Sequence, residues 1–253
     1  MVGISEVGSV AQFGFRSFAQ FFRHGTSRRH LIEQVFATGV RSVSTTLTAG
    51  IFVGAIMALQ IHEQLRDFGA ESYLGGLSTS VTVRNVGPVL IAFLLAAKVG
   101  AYTSAELAAM QVTDQINALK CLGVDPIRYL VVPRMIAVVV SSFLLLILGL
   151  MTTVLGGVLF SAWNLGVNPI TFLSNIPALV TYWSLGVGVM KSLVFGILLS
   201  VICCYHGYFA RGGSEGVGQT VQKTAVWSMV AIVVANYLVS SFGNAVQALL
   251  GGG

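Results

Sequence analysis

Two short motifs near the end of the chain have the spacing of known chemical sites. The segment from Gly212 to Gly216 reads GGSEG, which matches the G-x-S-x-G pattern around a hydrolase serine. The segment from Gly213 to Thr220 matches a phosphate-binding loop, except that Gln219 replaces the lysine. A nucleophilic serine needs Asp and His partners later in the chain, and no histidine follows His206. A phosphate loop needs the lysine charge and a preceding strand. We therefore predict a glycine-rich turn here and no catalytic residue in the chain.

The residue types that bind metals are scattered along the chain. Its histidines and cysteines are His24, His30, His62, His206, Cys121, Cys203 and Cys204. No two histidines have i,i+4 spacing with a third ligand nearby, and the cysteines lack metal-ligand spacing. We predict no metal site and interpret the cysteines as apolar filler.

Ion-coupled transport would require an ionisable group near the middle of a membrane. No Asp or Glu lies deep in any of the long apolar runs, where only Lys98 and Lys191 are charged. Either lysine can snorkel towards a membrane interface. The sequence therefore disfavours a proton- or sodium-coupled carrier.

The composition indicates that lipid surrounds most of the chain. Apolar residues make up 55% of the 253 positions and charged residues only 9%, whereas a soluble domain carries about 25% charged residues. The net charge of +5 does not indicate nucleic-acid binding, because the basic residues flank the apolar runs and form no single stripe. We predict an all-α integral membrane protein.

Five apolar runs are each near the length that crosses a bilayer, which is about 20 residues. They cover residues 42–61, 86–103, 135–162, 184–206 and 226–249. Lys and Arg residues between the runs number ten on one set of alternate sides and two on the other. The positive-inside rule then predicts a cytoplasmic N-terminus and a C-terminus outside.

The residues before the first run predict an amphipathic helix. In residues 10–23 one helical face carries apolar side chains and another carries Gln and Arg, at Ala11, Phe15, Phe18, Phe22, Gln12, Arg16, Gln20 and Arg23. Such a helix suits the headgroup boundary, with packing on the rest of the protein as the alternative. We divide the chain into an interfacial region, 1–41, and a five-span domain, 42–253.

Residues 103–126 predict a separate cytoplasmic helix between the second and third runs. Thr103 and Glu106 have capping-box spacing, and Gly123 and Pro126 supply the end. Its mixed polarity fits either a docking surface for a soluble partner or an interfacial helix without one. In the first run, Gly50 and Gly54 form a small-xxx-small pair, which we interpret as close packing between helices of the chain.

The chain resembles the MlaE/YrbE permeases of MCE-type lipid ABC transporters over roughly residues 40–245. The resemblance rests on GIFVG at 50–54, NVGP at 85–88, AELAAM at 105–110, TDQINAL at 113–119, GVDP at 123–126, VPR at 132–134 and the glycines from 212 to 218. It implies an ATP-driven permease of the bacterial inner membrane that moves phospholipid or another hydrophobic lipid. ATP would be hydrolysed by a separate ATPase, with no cofactor on this chain.

The resemblance also implies partners and sites. The partners are the ATPase, an MCE-domain protein and a second permease copy, in a homodimer or a related heterodimer. The helix over 104–122 would couple to the ATPase, through Glu106, Met110, Asp114, Asn117, Leu119 and Leu122. The lipid would lie against Met57, Ile61, Leu65 and Phe68, whose alternative role is packing at the end of a span.

This chain departs from the family at several charged positions. Family members commonly carry Glu where this chain has Asn85, Arg where it has Lys98, and acidic residues where it has Asn117 and Lys120. The opposite-charge pair that many members can form at positions 85 and 98 cannot form in the same way here. The changes at positions 117 and 120 favour pairing with a particular ATPase, and a heterodimer with a second permease chain becomes more plausible. A membrane scaffold without transport is the alternative function, whereas a membrane enzyme would need convergent nucleophiles or metal ligands.

Overall fold

The structure is a computed structural model that describes residues 2–24 and 28–250, with side chains described for residues 7–20 and 31–249. Within these residues the chain forms α-helices joined by short turns and no strand. The α-helices are α1 Val2–His24, α2 Arg28–Val35, α3 Arg41–Arg66, α4 Leu74–Val81, α5 Gly87–Leu95, α6 Ala101–Val112, α7 Gln115–Cys121, α8 Val132–Asn164, α9 Pro169–Ser174, α10 Ile176–Leu179, α11 Tyr182–Tyr208 and α12 Gly213–Leu250. The all-α prediction is confirmed.

Five helical runs in the described chain are long and apolar enough to cross a membrane. They are span one Leu31–Arg66, span two Glu71–Val112, span three Ile127–Asn164, span four Tyr182–Tyr208 and span five Gly213–Leu249. The predicted number of spans is confirmed, although each helical run is longer than its apolar stretch. The largest difference is in span two, which we predicted to begin at residue 86 and which begins at Glu71. Arg84 therefore lies inside a span.

π-helical turns interrupt spans one and two and open span three. They cover Phe36–Val40, Thr82–Val86, Ala96–Gly100 and Ile127–Val131, while a 3₁₀ turn, Glu71–Tyr73, opens span two. A π turn shifts the backbone hydrogen-bond pattern and frees carbonyl groups for other donors. The Lys98 ammonium donates to the Arg41 carbonyl at 2.8 Å, and the Ser141 hydroxyl donates to the Val35 carbonyl at 3.4 Å. Side chains from spans two and three thus bond to the backbone on either side of the turn Phe36–Val40.

Glycines allow span one to pack closely on α8. A Cβ atom added at Gly54 would overlap the carbonyl oxygen of Thr153, and one at Gly50 would overlap the Thr152 hydroxyl. From the other helix, a Cβ atom at Gly156 would overlap the Ile51 carbonyl oxygen. The predicted close packing of Gly50 and Gly54 within the chain is therefore confirmed.

The segment between spans three and four contains two short helices. Asn168 caps α9, since its side-chain oxygen accepts a hydrogen bond from the Ile170 amide at 2.9 Å. The Asn175 amide donates to the Ser72 carbonyl at 2.9 Å, and Phe172 is buried. These contacts fix α9 and α10 against the start of span two.

The chain divides into two compact units. The first contains Met1–Ser42, Phe93–Phe143 and Phe195–Ile232, and the second contains Val43–Ala92, Leu144–Val194 and Val233–Gly253. The predicted coupling residues, which are described next, lie in the first unit. The division at residue 41 stays a prediction.

The N-terminal helix α1 packs through a face that the sequence pattern did not indicate. Phe13 is buried among the rings of Tyr205, Tyr208 and Phe209, with ring centroids 5.7 to 6.0 Å away. Ala11 and Phe15 of the predicted apolar face are exposed, Phe15 by 79%. Phe22 and Arg23 lie outside the described side chains. Helix α1 therefore packs on the end of span four. Contact of its remaining apolar face with lipid stays a prediction.

Candidate functional site

The junction between spans two and three is a helix, a sharp turn and a second, short helix. Span two continues to Val112, and Asp114 then adopts a left-handed backbone conformation with φ of 57°. The Asn117 side chain donates to the Asp114 carboxylate at 2.7 Å, which holds the turn from its second helix, α7. The chain leaves α7 at Gly123, whose φ of 74° explains why glycine stands there.

The prediction that Thr103 and Glu106 form a capping box is wrong, because no helix begins at Thr103. Thr103 is buried inside α6 and caps no helix, because the backbone preceding it is already helical. The region that we predicted as one helix over 104–122 is therefore divided into the end of span two and the separate helix α7. The predicted end at Gly123 is confirmed.

Helix α7 presents most of its surface outwards. Ile116 is fully buried and anchors the helix, while Leu119 is half-buried. The other side chains of α7, at Gln115, Asn117, Ala118, Lys120 and Cys121, are exposed. Leu122, just after the helix, is 77% exposed. The surface of α7 and of the residue after it therefore combines polar side chains with one exposed apolar side chain, Leu122.

Contacts from two other helices support α7 and the turn that follows it. The Gln20 amide of α1 donates to the Asp125 carboxylate at 3.2 Å. The second Asp125 oxygen accepts the Ile127 amide at 3.0 Å and so begins the next helical segment. The Lys120 ammonium lies 5.9 Å from the centroid of the Tyr208 ring, within cation–π range. Thus α1 contacts the turn after α7, and the end of span four contacts α7 itself.

The predicted coupling residues fall into two groups. Glu106 and Met110, on α6, both contact Arg134 of span three: the Arg134 guanidinium lies 3.0 Å from the Glu106 carboxylate and 3.4 Å from the Met110 sulfur. Asp114, Asn117 and Leu122 are exposed on the turn and around α7. Sequence reasoning did not identify Arg134 as the partner of Glu106. The signal for Arg134 in the sequence was the VPR motif, which places an arginine directly before an apolar run.

The four residues predicted to contact lipid are not all on one helical face. Helix α3 ends at Arg66, so Phe68 lies in the following turn, where its amide donates to the Leu65 carbonyl at 3.1 Å. Met57 is buried, Ile61 and Leu65 are half-buried, and Phe68 is 84% exposed. The exposure of the apolar side chains therefore increases towards the end of span one.

Lys191 occupies an unexpected position. Its side chain is completely buried, and its ammonium donates to the Arg84 carbonyl and to the Asn85 side-chain oxygen, the latter at 3.3 Å. Lys191 therefore does not snorkel, because the π turn around Arg84 offers a free carbonyl within reach. The interpretation of the cysteines as filler fits the buried Cys203 and Cys204 and is wrong for the exposed Cys121.

Comparison with known proteins shows which family the chain belongs to. Residues 31–242 match the family model described as Permease MlaE. A protein of Rickettsia felis described as a probable ABC transporter permease is 34% identical over 234 residues, which are 92% of this chain and 90% of that protein.

Two further relatives extend the comparison. The intermembrane phospholipid transport system permease protein MlaE of Haemophilus influenzae is 30% identical over 92% of this chain and 91% of its own length. The chloroplastic protein trigalactosyldiacylglycerol 1 of Arabidopsis thaliana is 30% identical over 85% of this chain and 61% of its own length. The chain is therefore a multi-pass membrane protein that belongs to the MlaE permease family.

Proposed function

We propose that the chain is the permease subunit of an ATP-driven transporter that moves phospholipid or another hydrophobic lipid between the inner membrane and an MCE-domain partner. The observation that carries this proposal is the exposed helix α7, which contacts the end of span four and is followed by a turn that α1 contacts. The family match and the phospholipid transport named for the Haemophilus relative support the lipid cargo. ATP is hydrolysed by a separate ATPase chain, and two permease copies form the membrane part.

The proposed orientation places the N-terminus and α7 in the cytoplasm and the C-terminus outside. It is supported by the charge asymmetry between loops. The position of Arg84 inside span two sharpens this asymmetry, since residues 67–70, between spans one and two, then include no Lys or Arg.

Leu122→Asp is expected to separate the permease from its ATPase. A charge in place of this exposed side chain would be buried against the partner, at a cost of roughly 3 kcal/mol or more than a hundredfold in affinity. We prefer this position to Leu119, whose half-buried side chain also contributes to the fold. The measurements are recovery of the ATPase with the tagged permease and ATP-dependent lipid transfer in reconstituted vesicles.

Ser214→Asp is the matched control, because it adds the same charge at an exposed position in the first turn of α12, where an acidic residue is favourable. Normal ATPase recovery and lipid transfer by Leu122→Asp would reject α7 as the coupling helix. Recovery of an ATPase with no ATP-dependent transfer in the unmodified protein would instead indicate a scaffold.

The exposed thiol of Cys121 reports the side of the membrane on which α7 lies. If α7 is cytoplasmic, an impermeant maleimide should label this thiol only in opened cells.

Leu65 and Phe68 are expected to crosslink to lipid more strongly than Arg66. The two apolar side chains lie around the end of α3, where Leu65 is half-buried and Phe68 is exposed. Phe68→Asp should lower lipid occupancy by about tenfold, which corresponds to the loss of roughly two buried methylene groups. The measurement is photo-crosslinking from each position to labelled phospholipid, and equal crosslinking from Arg66 would reject this surface.

A further inference from the structure

The segment that joins spans three and four carries no charge. We name residues 163–182 the uncharged connection, because they include Asn, Ser and Thr but no Asp, Glu, Lys, Arg or His. The charge-free stretch extends from residue 135 to residue 190, through span three and into span four. Around the turn between spans one and two, by contrast, Arg66, Asp67 and Glu71 are charged. Since charged residues are characteristic of surfaces that face water, the uncharged connection has the composition of a surface that faces a less polar medium.

Aromatic and apolar side chains of the uncharged connection face outwards. Trp163 at its start is 90% exposed, and Tyr182 at its end is 92% exposed. Between them, helix α9 buries Phe172 and exposes Ile170 and Leu173, the first by 77%. Because an α-helix has 3.6 residues per turn, Ile170 and Leu173 share a face that points away from Phe172. Helix α9 therefore presents an apolar face to its surroundings.

The uncharged connection lies directly against span two. A Cβ atom added at Gly75 of α4 would overlap the Phe172 carbonyl oxygen, and one at Gly76 would overlap the Asn175 carbonyl oxygen. The two glycines thus allow the backbone of the connection to touch the backbone of α4. The uncharged connection therefore folds back beside the spans and does not project away from them.

The backbone of the uncharged connection is suited to a layer that contains little water. Proline lies in the first turn of both short helices, at Pro169 of α9 and Pro177 of α10, and lacks the amide donor that a helix start leaves unpaired. The next amide in α9, of Ile170, donates to the Asn168 side chain. Where water is scarce, backbone groups need partners within the protein. Proline and the Asn168 cap meet part of this need at the start of α9.

We propose that the uncharged connection lies in the headgroup layer of the bilayer, with the apolar face of α9 turned towards the acyl chains. Trp163 and Tyr182 lie at the ends of spans three and four, and Trp and Tyr favour the membrane boundary because each joins an apolar ring to a polar group. The surface is continuous with two membrane spans and lacks the charged groups that usually border a protein interface. Surrounding lipid, and no protein partner, therefore covers it. This contact does not depend on which lipid the protein transports.

Spin labels on α9 test the proposed depth. Single cysteines replace Ile170, Leu173 or Thr171 in a Cys121→Ser background, which leaves only the buried Cys203 and Cys204. The labelled chain, with the subunits that it retains, is reconstituted in vesicles of dioleoylphosphatidylcholine and dioleoylphosphatidylglycerol. Saturation of the label signal in oxygen and in a water-soluble nickel chelate, calibrated with labelled lipids, measures depth.

Labels at positions 170 and 173 should lie about 15 to 22 Å from the bilayer centre, between the edge of the hydrocarbon core and the outer limit of the headgroups. Thr171→Cys is the matched control within α9, because Thr171 is also exposed but lies on the polar side of the helix. Its label should lie about 5 Å further out, which is half the diameter of a helix with its side chains. Ser214→Cys, exposed in the first turn of α12, provides the reference for a label in water.

Three other results would overturn the headgroup contact. Nickel access at positions 170 and 173 equal to that at position 214 would place α9 in water. Exclusion of both oxygen and nickel, with broadening between labels, would show that a second copy covers α9. The same exclusion without broadening would assign the surface to another subunit.

Tryptophan fluorescence provides an independent measurement. Lipids brominated near the headgroup end of their acyl chains quench a nearby indole. Trp163→Phe should lower this quenching more than Trp183→Phe, because the Trp183 indole is turned inwards and donates to the Gly243 carbonyl at 3.2 Å. Equal losses from the two substitutions would contradict a position of Trp163 at the membrane boundary.

Discussion

Gly54→Ala is expected to destabilise the protein by roughly 3 kcal/mol, the upper end of the usual cost of overpacking. The added methyl group would overlap the Thr153 carbonyl oxygen. A backbone atom cannot move aside by changing a rotamer, so the two helices must separate along their contact. Since Gly156 makes the reciprocal contact with Ile51, separation at one point loosens the other. The measurement is the free energy of unfolding in mixed detergent micelles.

Gly186→Ala is the matched control for this prediction. Gly186 lies in α11, and a Cβ atom there would have no atom within 4 Å. Alanine should therefore stabilise the helix by about 0.5 to 1 kcal/mol through its better helix propensity. Similar effects of the two substitutions would show that span one and α8 do not pack as closely as described.

The glycine contact also shows what could be predicted from the sequence. Membrane helices pack through small residues, so the spacing of Gly50 and Gly54 was enough to predict a close contact. The partner, around Thr153, could not be predicted, because it lies a hundred residues further along the chain. The number of spans was predictable for a similar reason, since bilayer thickness sets the length of an apolar run.

The contacts of Arg84 inside span two show why part of the structure could not be predicted from the sequence. A search for uninterrupted apolar runs excludes a residue such as Arg84 from a span. Its partners, Asn244 and Gln247, are about 160 positions away in sequence. The capping box failed for a local reason: side-chain capping acts where a helix begins, and the π turn Ala96–Gly100 carries the helix through to Thr103. Only the three-dimensional structure supplies these contexts.

Glu106→Leu is expected to destabilise the protein by about 3 kcal/mol, because it leaves the charge of Arg134 buried without a partner. The Arg134 side chain is 4% exposed, its Nε atom has no described partner, and the Met110 sulfur is a weak acceptor. The Glu106 side chain is 32% exposed, so water can hydrate its carboxylate when Arg134 is replaced. Arg134→Met should therefore cost less, about 1 kcal/mol after the partial exposure of Glu106 is allowed for.

The double variant Glu106→Leu with Arg134→Met tests whether the ion pair or the shape of the contact stabilises the helices. Apolar residues of similar volume often replace a buried ion pair without loss of stability. The double variant should therefore be more stable than Glu106→Leu alone, with an interaction energy of about 2 kcal/mol between the two positions. Unfolding free energies of the four proteins in mixed micelles give this value. Strict additivity would show that the two side chains act independently, which would leave Glu106 available for the ATPase contact that the family resemblance implies.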